Sequence, residues 1–201
     1  MQTTLSIRAV AGAICTAAAT LLAAPAQAAL QDRDLNGDSV VDAFYDTDLD
    51  ITWLRDANVN GLMDWVTAVA WADGYSFGGY NDWRLPTSDT CYGAGCTGSE
   101  MGHLWYVELG NPVGGPFANT GGFQNFQSNF YWSGTVDAAH VDSVYFFDTS
   151  DGSQYFGNTY TTKYALLARP GDVPAVPEPQ SFALLLLGLS GLAVRTRTHR
   201  R

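Results

Sequence analysis

The spacing of apolar residues predicts two short helices in the first half of the chain. The first helix covers about residues 64–72, with Asp64 as its N-cap and Gly74 as its stop. The second helix starts at Ser99 and stops at Gly110. Both segments therefore bury one face and expose the other. Their inward-facing positions recur at helical intervals: Trp65, Ala68, Val69 and Ala72, then Met101, Leu104, Trp105 and Leu109.

The second half of the chain carries the patterns of β-strands. Runs of aromatic and branched residues occur at residues 130–135, 144–148, 154–156 and 164–169, and the turn Ser150–Gly152 precedes the third. Helices followed by a meander predict an α+β domain with two short helices and a twisted antiparallel sheet. The 21 glycines of the chain add long ordered loops to this prediction.

The N-terminus has the pattern of a secretory signal peptide at residues 1–28. Arg8 precedes an apolar run, and Ala26-Gln27-Ala28 supplies the small residues of a cleavage site. We therefore expect the folded domain to occupy residues 29–172. After cleavage, Cys91 and Cys96 are the cysteines that remain, and two close thiols in an exported chain predict a local disulfide.

The C-terminus has the order of a sorting signal. Residues 173–180 form a proline-rich linker that contains Pro177, Glu178 and Pro179, and residues 181–201 form an apolar segment with a basic end. This order resembles the PEP-CTERM sorting signal of Gram-negative bacteria, which an exosortase recognises and cleaves. The resemblance implies transient insertion into the inner membrane and delivery to the cell surface or extracellular matrix. An ordinary membrane anchor is the alternative, although the apolar run makes only about 20 Å of helix.

The expected domain is strongly acidic. All 20 acidic residues lie between Asp32 and Glu178. Such a surface repels nucleic acid and favours cations, so a nucleic-acid partner is excluded. The basic residues within residues 29–172 are Arg33, Arg55, Arg84, Lys163 and Arg169.

Two Asp-rich stretches match the start of a calcium-loop pattern, D-x-[DN]-x-[DN]-G. The candidate calcium ligands are Asp32, Asp34, Asn36, Asp38 and Asp42 in the first loop and Asp56, Asn58, Asn60 and Asp64 in the second. The acid that usually closes such a loop is missing, because Ala43 and Thr67 hold those positions. Short Asp, Asn and Gly clusters also form ordinary turns. Calcium binding and simple turns therefore remain alternatives.

Several segments together resemble one family of extracellular domains. They are Tyr45–Asn58, Gly78–Thr87, Tyr131–Thr135 and Ala168–Gly171. They resemble the Lcl C-terminal domain family, named for a bacterial collagen-like adhesin, over about residues 43–172. The resemblance implies a C-type-lectin-like fold, distantly similar to formylglycine-generating enzymes, which have a segment like Arg84–Thr87. The adhesin binds sulfated polysaccharides, but this chain has no collagen-like repeat and its acidity argues against a sulfated ligand.

These features lead us to expect an exported module that binds glycans or associates with extracellular polysaccharide, with calcium as a cofactor. Aromatic and amide side chains in two glycine-rich loops are the candidate ligand contacts: Phe123, Asn125, Tyr155, Asn158 and Tyr160. The alternatives are a structural matrix protein without a defined ligand and an enzyme distantly like formylglycine-generating enzymes. We expect no catalysis, because His103 and His140 do not assemble a Ser-His-Asp grouping.

Overall fold

A computed structural model describes residues 30–173 as an α+β domain, which confirms the predicted fold class. Helix α1 spans Trp65–Gly74, and helix α2 spans Glu100–His103 and continues as a π-helical turn at Leu104–Glu108. The predicted signal peptide and the PEP motif with its sorting segment lie outside the described residues. The eight strands are β1 Gln31–Arg33, β2 Ala43–Asp46, β3 Ile51–Leu54, β4 Gly93–Ala94, β5 Phe130–Val136, β6 Ser143–Asp148, β7 Ser153–Asn158 and β8 Ala168–Pro170.

The strands form two antiparallel four-stranded sheets, whereas the sequence pattern indicated one. The first sheet has the order β1-β2-β3-β8, and the second has the order β4-β7-β6-β5. The segment predicted as a strand at residues 164–169 explains the difference. Its start bonds to the second sheet, because Tyr164 N donates to Phe130 O and Trp132 N donates to Tyr164 O. Its end joins the first sheet as β8, so the segment passes from one sheet to the other.

This crossing segment also separates two hydrophobic clusters. Ala165 and Leu167 lie in the first cluster, and Leu166 and Ala168 lie in the second. Successive side chains of an extended segment point to opposite sides, so one short run supplies both clusters. The first cluster includes the buried face of α1, and the second includes the buried face of α2.

Four of the six tryptophans are core residues. Those of α1, Trp65 and Trp71, are only half-buried. The remaining four are almost completely buried: Trp53, Trp83, Trp105 and Trp132. These four cannot contact a ligand at the surface.

The helix starts follow the capping residues that the sequence indicates. The Asp64 carboxylate accepts from Thr67 N at 2.8 Å, and Ser99 Oγ accepts from Gly102 N at 3.1 Å. The disulfide between Cys91 and Cys96 is also formed. No helix in residues 30–173 is long and apolar enough to cross a membrane.

Candidate functional site

The first Asp-rich loop connects β1 to β2 and is held by its own side chains. Asp34 accepts hydrogen bonds from the backbone N–H groups of Asn36, Gly37 and Ser39, at 2.7–3.2 Å. Asn36 in turn accepts from the backbone N–H of Asp38. Short polar side chains often close turns in this way. The loop is therefore preorganised around Asp34.

Three carboxylates of this loop converge. Oxygens of Asp34, Asp38 and Asp42 lie within 4.8 Å of one another. Burial, with the charges of Asp38 and Asp34, raises the pKa of Asp42. The predicted ligand Asp32 does not belong to this group, because it lies in β1 opposite Phe44. The group offers the hard oxygen ligands that calcium prefers.

The second Asp-rich loop uses its polar groups differently. The Asp56 carboxylate accepts from Asn58 N at 2.9 Å and from Asn125 Nδ2 at 3.0 Å. Asn60 Nδ2 donates to the sulfur of Met63, and the Asp64 carboxylate caps α1. These contacts give Asp56, Asn60 and Asp64 separate partners, whereas Asn58 Oδ1 is buried without a hydrogen-bond partner in residues 30–173. The arrangement is that of a turn and a helix cap.

A groove of about 270 Å³ lies between the two Asp-rich loops. Its aromatic wall comes from Tyr75 and Phe77, which follow α1, and exposed Val40 and Val59 lie on its loops. Its polar lining comes from four side chains: Asp42, Arg55, Asp56 and Gln124. The groove thus combines apolar rings with hydrogen-bonding groups.

The polar groups of the groove are held in place by neighbouring segments. Arg55 Nη1 donates to Val41 O at 2.9 Å, and Arg55 Nε donates to Gly122 O at 3.2 Å. Asn125 fixes Asp56 through both carboxylate oxygens. Burial, followed by the charges of Asp56 and Asp42, raises the pKa of Tyr75. Hydrogen bonds therefore orient these polar side chains, and two carboxylates against one cation make the lining acidic.

The structure does not bring the five predicted ligand contacts together. Phe123 is a core residue, because its ring is buried against Phe44 with a centroid distance of 4.8 Å, and its predicted surface role is wrong. Asn125 positions Asp56. Tyr155 packs against Tyr92, while the remaining two are exposed: Asn158 and Tyr160.

Sequence reasoning missed the groove itself. Tyr75, Phe77 and Gln124 occur in segments without any periodic or motif signal that separates a groove wall from a loop. Their proximity arises when the loop that carries Gln124 bonds to the second Asp-rich loop, through Gln124 N to Arg55 O and Ala57 N to Gln124 O.

A second groove, of about 430 Å³, lies beside β5 and β7. His140 stacks on Phe156 in it, with a centroid distance of 4.5 Å, and Asp137 contacts His140 Nδ1. Its lining includes Val136 and exposed loop residues. This groove has no contribution from either Asp-rich loop.

Comparison with known proteins agrees with both resemblances. Residues 175–201 match the PEP-CTERM protein-sorting motif, which marks an exported protein of the cell surface and implies processing by an exosortase. A search of curated proteins finds no match. Residues 42–169 match the Lcl C-terminal domain, and this match covers more than half of the 201-residue chain. The protein therefore belongs to the Lcl C-terminal domain family.

Proposed function

We propose that this exported domain binds a neutral polysaccharide of the cell surface or extracellular matrix in the groove between its Asp-rich loops. The groove's combination of Tyr75 and Phe77 with Asp56 and Gln124 carries the proposal. An aromatic ring packs against the apolar face of a sugar. Carboxylate and amide groups bond sugar hydroxyls and fix the orientation of the ligand.

The charge of the groove determines the class of sugar. Asp42 and Asp56 line it, and its one cation, Arg55, is committed to two backbone carbonyls. Backbone carbonyls leave the positive charge of Arg55 in place, but a sulfated or strongly anionic chain would meet two carboxylates against this single cation. A neutral polysaccharide meets hydrogen-bond acceptors suited to its hydroxyl groups.

We propose in addition that calcium stabilises the first Asp-rich loop. Asp34, Asp38 and Asp42 bring three carboxylates within ligand distance of one cation. The same loop forms one side of the groove through Val40 and Val41. Calcium would therefore strengthen polysaccharide binding by fixing that side.

The binding test compares two Val→Glu variants of the full chain in detergent. The probes are exopolysaccharide from the producing bacterium, separated into neutral and anionic fractions, and heparin as a sulfated control. Val59→Glu places a charge at the proposed groove, and Val136→Glu places the same charge at the second groove. Binding of the neutral fraction that is lost only in Val59→Glu supports the proposal.

Two other outcomes contradict it. Loss only in Val136→Glu would move the site to the second groove. Failure of the wild-type chain to bind any fraction would favour a structural matrix protein without a defined ligand.

The calcium test uses titration calorimetry of Asp38→Asn and Asp142→Asn. Asp38→Asn removes one negative charge from the proposed site, which should weaken calcium binding, and keeps an oxygen that can accept from Val40 N. Asp142→Asn removes an exposed charge from the β5–β6 turn. Calcium binding that is weaker in Asp38→Asn but unchanged in Asp142→Asn supports the loop site. Equal calcium binding by both variants would mean that the first loop forms ordinary turns and is not a calcium site.

A further inference from the structure

A second group of metal-ligating side chains lies where the end of β2 meets the turn after α2. Asp46, His103 and Glu108 each offer a ligand atom within 4.8 Å of the others. His103 Nε2 lies 3.4 Å from Glu108 Oε1 and 3.9 Å from Asp46 Oδ1. Asp48 Oδ2 lies 3.9 Å from the same nitrogen. Three carboxylates therefore surround one imidazole nitrogen.

The centre of this group is buried and lacks hydrogen bonds. The side chains of Asp46 and Glu108 are only 0% and 1% exposed. His103 Nε2 and both Glu108 carboxylate oxygens are buried without a hydrogen-bond partner in residues 30–173. Buried carboxylates are strongly unfavourable unless a cation or hydrogen bonds compensate them. Ligand atoms without hydrogen-bond partners therefore face one another in a buried position.

The π-helical turn places two of these ligands on one face. In an α-helix, residues five apart point about 140° away from each other. Leu109 N instead donates to Leu104 O, five residues back, which widens the turn. This widening brings Glu108 toward His103. A π-turn distorts regular helix geometry and often marks a functional site.

The Asp46 carboxylate is oriented by its own surroundings. Asp46 Oδ1 accepts from Asp48 N at 3.1 Å and from Leu49 N at 3.0 Å. Trp53 Nε1 lies 3.4 Å from Asp46 Oδ2 in the core. Such outer contacts fix the position of a ligating carboxylate before an ion arrives.

We propose that Asp46, His103 and Glu108 bind zinc or a similar divalent transition metal, with Asp48 as a fourth ligand on the solvent side. Donors that share a tetrahedral zinc ion at about 2.0–2.2 Å lie about 3.3–3.6 Å apart. The observed separations of 3.4 and 3.9 Å from His103 Nε2 need only a small contraction. Calcium fits less well, because it requires about six to eight oxygen ligands and does not favour imidazole.

This metal would join two segments that share no backbone hydrogen bond within residues 30–173. Asp46 ends β2 and Asp48 lies in the turn that follows, whereas His103 and Glu108 belong to the helical segment. The rival arrangement is a protonated His103 that pairs with Glu108 without any metal. The site is independent of the proposed polysaccharide groove, which has different residues.

The test begins with the full chain in detergent, stripped with EDTA. Zinc, manganese and calcium are titrated separately by calorimetry, with the melting temperature followed in parallel. We expect zinc to bind at a site that calcium does not fill and to raise the melting temperature. Cobalt substitution should give a visible absorption spectrum of mixed nitrogen and oxygen ligands.

Loss of an outer contact typically weakens metal binding about 10- to 100-fold. The variants His103→Gln and Glu108→Gln each remove a direct ligand and should weaken zinc binding by more than that. His140→Gln controls for zinc bound by another histidine, and Asp38→Asn controls for the first Asp-rich loop. Asp48→Asn, which changes a half-exposed side chain, provides a ligand variant with an intact core. Zinc binding that is unchanged in His103→Gln, or absent from the wild-type chain, would overturn the proposal and leave the ion pair.

Discussion

Arg84 and Glu100 form a two-pronged ion pair, with both nitrogen–oxygen distances at 2.7 Å. The same Glu100 carboxylate accepts from Thr87 N, and Glu100 N donates to Thr87 O. These bonds tie the Arg84–Thr87 segment to the first turn of α2. The Arg84–Thr87 segment thus helps to hold the start of α2 in place.

We expect Arg84→Met to lower the free energy of unfolding by about 2–3 kcal/mol, because Glu100 loses both charged donors while its side chain is only 13% exposed. Arg33→Met is the matched control. Its partner Asp172 is 42% exposed and can turn to water, so a loss below about 1 kcal/mol is expected. Urea unfolding of both variants measures the difference. Equal losses would show that the Arg84–Glu100 pair contributes no more to the free energy of unfolding than the exposed Arg33–Asp172 pair.

The fold could be predicted where local signals agreed. Asp64 and Ser99 are strong N-caps ahead of apolar faces, and both helices begin there. The separation into two sheets could not be predicted. It depends on Tyr164 and Ala168 bonding to different sheets, and the alternating pattern of the segment between them fits a single strand equally well.

The candidate sites likewise divide into those that local sequence signals predict and those that depend on contacts between distant segments. The Asp34–Asp42 cluster is local in sequence, so its spacing revealed it. The pairing of Asp46 with His103 and Glu108 depends on a π-turn, which has no recognisable sequence signal here. Phe123 was misplaced because a glycine-rich loop can carry a core side chain inward, as it does against Phe44.

We expect Asp64→Ala to destabilise the domain by about 1 kcal/mol, because Thr67 N loses its acceptor at the start of α1. Asp64→Asn keeps an acceptor at the cap, so it should lower the free energy of unfolding by only a few tenths of a kcal/mol. Thermal unfolding measures both. A calcium titration of Asp64→Asn should match the wild-type chain, and a clear loss of calcium binding would restore the second loop as a metal site.

Removal of the disulfide with Cys91→Ser/Cys96→Ala should lower the free energy of unfolding by about 2 kcal/mol, the value for a loop with a sequence separation of 5. Reductant should lower the urea midpoint of the wild-type chain and leave that of the double variant unchanged. A wild-type midpoint that does not respond to reductant would mean that the thiols are unpaired in the purified protein.

Acid stability should depend on the pair between Asp82 and Arg169. Hydrogen bonds from Arg169, at 2.8 and 2.9 Å, lower the pKa of Asp82 below that of the unfolded chain. The folded state therefore binds fewer protons than the unfolded state between those two pKa values. The stabilisation is complete above about pH 4 and disappears as pH falls through the lowered pKa.

Asp82→Asn should accordingly lower the free energy of unfolding at pH 7 by about 0.5–1 kcal/mol. The loss is modest because Asp82 is partly exposed, Asn keeps an oxygen acceptor for Arg169, and Arg169 keeps its hydrogen bond to Asp172 O. The variant should approach the wild-type stability as the pH falls through the lowered pKa of Asp82, since the side chain at position 82 is then neutral in both chains. Asp142→Asn, which removes an acid without an ion pair in residues 30–173, should leave the pH profile unchanged. Urea unfolding from pH 2 to 7 decides the matter, because parallel profiles for wild type and Asp82→Asn would exclude a proton-linked contribution from the pair.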